Sequence, residues 1–263
     1  MCVKACAYCG SAGPLTKDHV WPECFLERTG RRAAHFSHQS GRVHGADYVV
    51  QDVCETCNNV SLSPLDDYFC RLYDEYFAHA HGFGAVVTFC FDYHFLVRSL
   101  LKIAYNSARS AGSDDSYLRE LRSYIRDGSS VPRQLAVFAE LVSPTLVKET
   151  GAPGGMRAQL PENFYRSAIT QLFTPNGSRV CTRIVAVGSY YFHLAFPAAP
   201  MADSAFDEAA NELGTHIDGV VQVTSTMNEI TLHSSSQDAI SSIVPHIQQH
   251  HDAYRTFFDR RDS

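Results

Sequence analysis

The sequence predicts an α+β protein in two parts: a small, cysteine-braced N-terminal module, then helices and a mainly antiparallel β-sheet. Three observations carry this. Two CxxC pairs, Cys6/Cys9 and Cys54/Cys57, bracket a stretch without long periodic apolar runs. Between about Ser63 and Arg126, apolar residues recur at helical spacing. After Pro132, branched and aromatic residues gather in short runs divided by turn residues.

Composition narrows the class. At 263 residues the chain can bury a proper core, as one large domain or two modest ones. Apolar residues make up 45% and charged residues 19%, which excludes a disordered chain and describes an ordinary soluble one. The formal net charge of −6 argues against a nucleic-acid partner at first, but phosphate binding needs only a local basic face. No run of about 18 apolar residues occurs, so no membrane span is expected. Met1 to Gly10 is too short and too polar for a signal peptide. Of nine cysteines, four stand at metal spacing, while Cys2, Cys24, Cys70, Cys90 and Cys181 are scattered and read as core or surface residues. That usage fits a reducing, cytoplasmic setting better than a disulfide framework.

The elements follow in order. Tyr8-Cys9-Gly10 reads as a tight turn with Gly10 at positive φ. Leu15 to Trp21 is short and extended, and Pro22 biases its predecessor away from helix. Residues 27 to 47 read as a polar connection carrying Arg28, Arg31, Arg32, His35, His38, Arg42 and His44, a cluster able to grip phosphates. Val49, Val50 and Val53 mark a brief strand. Ser63 and Pro64, with Asp66 and Asp67 behind them, predict a helix start, and the helix should run to about Ala80 before Gly82. A second helix is expected near Phe91 to Ser110, with Val97, Leu100, Leu101, Ala104 and Ala108 on one stripe. A third spans about Asp115 to Arg126, ended by Gly128. Strands are expected at Leu135 to Val142, Tyr165 to Phe173, Val180 to Val187 and Tyr190 to Phe196, with a hairpin at Asn176-Gly177. Gly219 to Thr224 and Glu229 to His233 suggest another hairpin, and Ser236 to Phe258 a last helix kinked at Pro245. The division expected is 1–82 for the N-terminal module and 83–263 for an α+β domain of specificity, regulatory or dimerisation role.

Chemistry concentrates in the first part. Two CxxC pairs can supply four thiolates, from Cys6, Cys9, Cys54 and Cys57, to one tetrahedral zinc; Cys24 and His44 offer no better spacing. Between the pairs stands Asp18-His19, followed by Pro22, and the second pair runs directly into Asn58-Asn59. The set CxxC, Asp-His-x-x-Pro, CxxC-Asn resembles the HNH (ββα-metal) endonucleases in their zinc-knuckle variant, over about residues 4 to 70. The resemblance implies a ββα-metal module that hydrolyses phosphodiester bonds in DNA, with RNA as the other candidate. It implies His19 as general base, Asp18 as a carboxylate ligand and Asn58 as an amide ligand of a catalytic Mg²⁺ or Mn²⁺, beside a structural Zn²⁺. Asn59 is the substitute for Asn58 should the register differ by one. It also implies a bacterial or phage setting: restriction, defence or a mobile element. One departure stands out: the middle asparagine of the motif has no counterpart in Asp47-Tyr48-Val49-Val50-Gln51-Asp52.

Residue chemistry agrees with these roles. Imidazole titrates near neutrality and suits proton transfer, while a hard cation prefers oxygen ligands. Neighbours on a strand point to opposite sides, so the Asp18 role comes from the resemblance and not from spacing. Two other classes remain open: a non-catalytic zinc-dependent module that binds nucleic acid or a partner, and a zinc-stapled regulatory protein that binds no nucleic acid. Residues 83–263 carry no second CxxC, no phosphate-binding Gly-rich loop and no paired-carboxylate pattern, and a homodimer is compatible with them.

Overall fold

The computed structural model describes residues 5–30, 34–37, 42–45, 48–143, 146–148, 157–159, 165–173, 179–217 and 219–235. It is a mixed α+β protein with six α-helices and a large β-sheet among those residues. No described helix is long and apolar enough to cross a membrane. Contacts divide the chain into two compact units, one within Met1–Arg71 and Arg98–Val131, the other within Leu72–Val97 and Pro132–Ser242. Residues 98–131, which the sequence alone assigns to the second part, therefore pack with the cysteine module.

In the first unit, β1 (Leu15–His19) is followed by α1 (Glu23–Thr29), the hairpin β2 (Ala34–Ser37) and β3 (Arg42–Gly45), and β4 (Val49–Cys54). β1 and β4 are antiparallel, with Leu15 opposite Cys54 and His19 opposite Val49, and a bulge falls between Thr16 and Asp18. A helical run follows at once: a π-helical stretch, Cys57–Leu62, then α2 (Ser63–Leu72). The cap expected at Ser63 is absent because the helix has already begun upstream. Pro64, which has no N–H to give, stands where the π stretch ends. α3 (Tyr93–Ala111), α4 (Ser116–Glu120) and α5 (Arg122–Asp127) follow, so the expected third helix is broken at Leu121, and Gly128 closes α5 at φ 80°.

Residues 27 to 47, expected to be a polar connection, instead hold the end of α1 and a hairpin. α1 is anchored by aromatic packing: Trp21, Phe25 and Phe69 of α2 stack with ring centroids 5.3–6.0 Å apart. A disulfide joins Cys24 of α1 to Cys70 of α2, two cysteines that the sequence offered only as scattered core or surface residues. The pairing of two cysteines so far apart in sequence follows from the packing of α1 on α2 and not from their spacing.

The second unit is a seven-stranded sheet. It takes β5 (Val86–Cys90), β6 (Ala136–Val142), β9 (Tyr165–Phe173), β10 (Arg179–Val187), β11 (Tyr190–Pro197), β12 (Val221–Val223) and β13 (Glu229–Ser235). The order is β5-β13-β6-β11-β10-β9, with β12 also on β6, and every pairing is antiparallel except β13 with β6. β7 (Leu146–Lys148) and β8 (Arg157–Gln159) pair separately. The expected hairpin of residues 219–233 does not form: β12 and β13 share the same edge of β6, one after the other, and do not pair. β9 and β10 pair as the sequence suggests, but the Asn176-Gly177 turn and the last helix of 236–258 lie outside the described residues.

α6 (Asp203–His216), missed in the sequence, covers one face of this sheet. Its Phe206, Ala209, Ala210 and Leu213 pack on Ala136, Phe138, Val180 and Ala195. Gly214 sits where a Cβ would come within 3.1 Å of the Phe138 ring, so a larger residue there would need the ring to shift by a few tenths of an ångström. On the other face Phe77, Phe89, Tyr190 and Phe192 form an aromatic cluster, with centroids 5.0–5.9 Å apart.

Candidate metal centre and the residues around it

The turn before β1 is built by backbone bonds. Gly10 N–H donates to the Cys6 carbonyl at 2.9 Å, Cys6 N–H to Ser11 at 3.0 Å, and Gly10 takes φ 75° as the sequence requires. This turn carries Cys6 and Cys9 to the end of β4, where Cys54 stands, and to the start of the helical run at Cys57. The four Sγ atoms all lie within 4.8 Å of one another, and none forms a disulfide.

Four thiolates about 2.3 Å from a tetrahedral zinc would stand about 3.8 Å apart. Cys9 and Cys54 are already at 3.7 Å. Backbone N–H groups point at the sulfurs: Cys54 N is 3.3 Å from Cys6 Sγ, and Cys57 N is 3.5 Å from Cys54 Sγ. Such donors favour thiolate, the form that binds metal. Burial, and then the neighbouring cysteines, push the Cys57 thiol up, whereas hydrogen bonding to Ser11 brings Cys9 down to about 6. Four cysteines so arranged can hold a metal such as zinc. Arg126 of α5, paired with Asp127, lines the groove beside Cys9, Cys54 and Cys57.

Asp18 and His19 part company on β1. The Asp18 side chain is 3% exposed and turned inward. Its Oδ1 lies 3.1 Å from Lys102 Nζ, and its Oδ2 accepts from Asn106 Nδ2 at 2.7 Å. Asn106 Nδ2 also donates to the His19 carbonyl at 3.1 Å, which fixes the backbone of the dipeptide from the α3 side. Alternation along the strand then sends the His19 imidazole the other way. It is half-buried, and no hydrogen bond or ion pair engages it among the described residues.

Asn58, in the π stretch, ties the helix to β1. Its Nδ2 donates to the Lys17 carbonyl at 2.8 Å and to Thr16 Oγ1 at 3.0 Å, and the Thr16 hydroxyl donates in turn to the Val53 carbonyl at 2.9 Å. A carbonyl can only accept, so the amide nitrogen must face β1, and Oδ1 has no hydrogen-bond partner among the described residues. Asn59 is exposed.

The chain matches no family model, no curated protein and no solved structure. Its own geometry therefore carries the functional reading.

Behind Asp18 lies a polar network that sequence reading passed over. Lys102, 1% exposed, reaches both Asp66 oxygens at 2.6 and 2.7 Å as well as Asp18. Asn106, fully buried, accepts from the Tyr8 hydroxyl at 2.7 Å and from Arg109 Nη2 at 2.8 Å. Burial holds the Tyr8 phenol far above its ordinary value, so it stays a donor. One face of α3 thus links the cysteine turn, through Tyr8, to the Asp18-His19 dipeptide. The available signal was a lysine and an asparagine four apart inside an apolar stripe, where neither belongs unless paired.

Proposed function

We propose that the first unit is a zinc-braced phosphodiester hydrolase of the ββα-metal kind, acting on DNA or RNA. The observation that carries this is the order of its parts. Two antiparallel strands run into a helix, the four cysteines close the end of the motif, and Asn58 at the helix start is bonded to the strand that carries His19. In this reading His19 takes the proton from the attacking water, as an imidazole with no partner of its own among the described residues can. Asn58 Oδ1 is the oxygen offered to a Mg²⁺ or Mn²⁺ ion, which when bound would neutralise charge on the phosphate and leaving oxygen. Asp18 serves differently from the role the resemblance implies. Its oxygens are committed to Lys102 and Asn106, so it braces β1 and leaves His19 facing outward.

The commitment of Asp18 also favours a second reading, a zinc-braced module that binds nucleic acid without cutting it. Nicking of supercoiled plasmid separates the two. Wild type should nick with Mg²⁺ or Mn²⁺, and His19→Ala should be about 10²- to 10⁴-fold slower with unchanged zinc content and melting temperature. Equal nicking by both proteins, or none by wild type, rejects the hydrolase.

A further inference from the structure

A cleft of about 410 Å³ in the first unit is lined by Ala7, Asp52, Tyr105, Arg109, Arg119 and Arg122, among others. None of the four cysteines lines it. Arg109 is the unusual residue. Its side chain is 8% exposed, and its guanidinium lies over the Tyr105 ring at 4.2 Å, with Tyr8 at 5.2 Å. Nη2 donates to Asn106, but Nε and Nη1, both buried, have no hydrogen-bond partner among the described residues. A carboxylate oxygen, Asp52 Oδ1, is 3.4 Å from Nη2 and makes no hydrogen bond among the described residues.

Unmet donors on a buried cation are costly, and a guanidinium accepts no hydrogen bond, so the fork is completed by an acceptor that enters the cleft and displaces the atoms now covering Nε and Nη1. Stacking on Tyr105 holds the fork flat and pre-organised. Arg119 and Arg122 add two positive charges, and Asp52 and Asp115 subtract two, which leaves the cleft with an excess of one. Asp115 is occupied by Arg119, and Arg122 has no ion pair among the described residues. A multi-oxygen anion would replace the loose Asp52 contact and meet divergent arginine donors together. The volume exceeds that of one phosphate group and admits the attached sugar.

We propose that this cleft is a phosphate subsite that grips the backbone of a nucleic acid strand. The choice of a strand as the source of the phosphate rests on the hydrolase reading; the anion chemistry does not.

The test is fluorescence anisotropy with labelled single-stranded and duplex oligonucleotides, in the full-length His19→Ala protein and without added divalent cation. Arg122→Gln, at an exposed position, should weaken binding about tenfold and lower the slope of log affinity against log salt by about one. Arg109→Lys should weaken it similarly, because the planar fork is lost. Arg133→Gln, at a side chain 88% exposed in the other unit, should bind like the parent. Inorganic phosphate should compete with the oligonucleotide less effectively in Arg122→Gln than in the parent. Parent-like affinity and salt slope in Arg122→Gln overturn the subsite even if Arg109→Lys fails to fold. Binding of inorganic phosphate without any oligonucleotide binding overturns the assignment to a strand. Arginine-dependent binding together with a wild type that never nicks leaves the subsite standing and removes the hydrolase.

Discussion

Lys102→Met should destabilise the first unit by about 3–5 kcal/mol, because it strands two carboxylates around a buried position. Lys102 is the cation that both Asp18 and Asp66 face, at 2.6–3.1 Å. Domains of this size are stable by only about 5–15 kcal/mol, so the variant should be largely unfolded when warm. The loss should depend on pH in a definite direction. Burial pushes the Asp66 carboxyl up, and Lys102 opposes this. A raised carboxyl costs stability above its folded pKa, and that cost is lifted as pH falls through it. Without Lys102 the folded value rises further, so the deficit of Lys102→Met should shrink between pH 7.5 and pH 5. Adding Asp18→Asn should recover part of the loss, since one stranded charge is removed. Urea denaturation of the four proteins of that cycle measures the coupling. A loss under about 1 kcal/mol, the same at both pH values, would contradict the network.

Cys57→Ala should have a larger effect still. Structural zinc in small modules is worth about 10–16 kcal/mol of apparent binding energy near neutral pH, which exceeds the whole stability of a typical domain. Cys57 is buried, stands at the start of the helical run, and joins its sulfur to one on β4 and two on the turn. Losing it should release the metal, loosen that turn and free the long excursion between the two cysteine pairs. Elemental analysis and circular dichroism should then show the metal gone and the first unit melted. A Cys57→Ala protein that keeps both metal and melting temperature would refute the ligand assignment.

The parts legible in the sequence were those set by local rules. The cysteine pairs were readable because two residues at that spacing can face one ion, and the four sulfurs do converge. α3 was readable from its helical periodicity, and the strands of the β9–β10–β11 meander from their runs of branched and aromatic residues. What was not legible depends on partners distant in the chain. The apolar stripe of α3 concealed Lys102 and Asn106, whose reason for burial lies on β1 and α2. The Cys24–Cys70 disulfide depends on how α1 packs against α2. The missed pairing at β12 and β13 has the same cause: turn residues between them favoured a hairpin, but the open edge of β6 offered both strands a better partner. The inward turn of Asp18 to Lys102 and Asn106 was likewise not legible, because sequence order alone does not say which side of a strand meets the interior.

The most direct test of the central claim, a metal centre made of four cysteines, is elemental analysis of wild type purified without chelator, combined with thiol alkylation of the native protein. The expected result is one zinc per chain, with Cys6, Cys9, Cys54 and Cys57 protected from alkylation until the metal is removed. Protein that carries no metal, with these four thiols free to react or joined as disulfides, would contradict it.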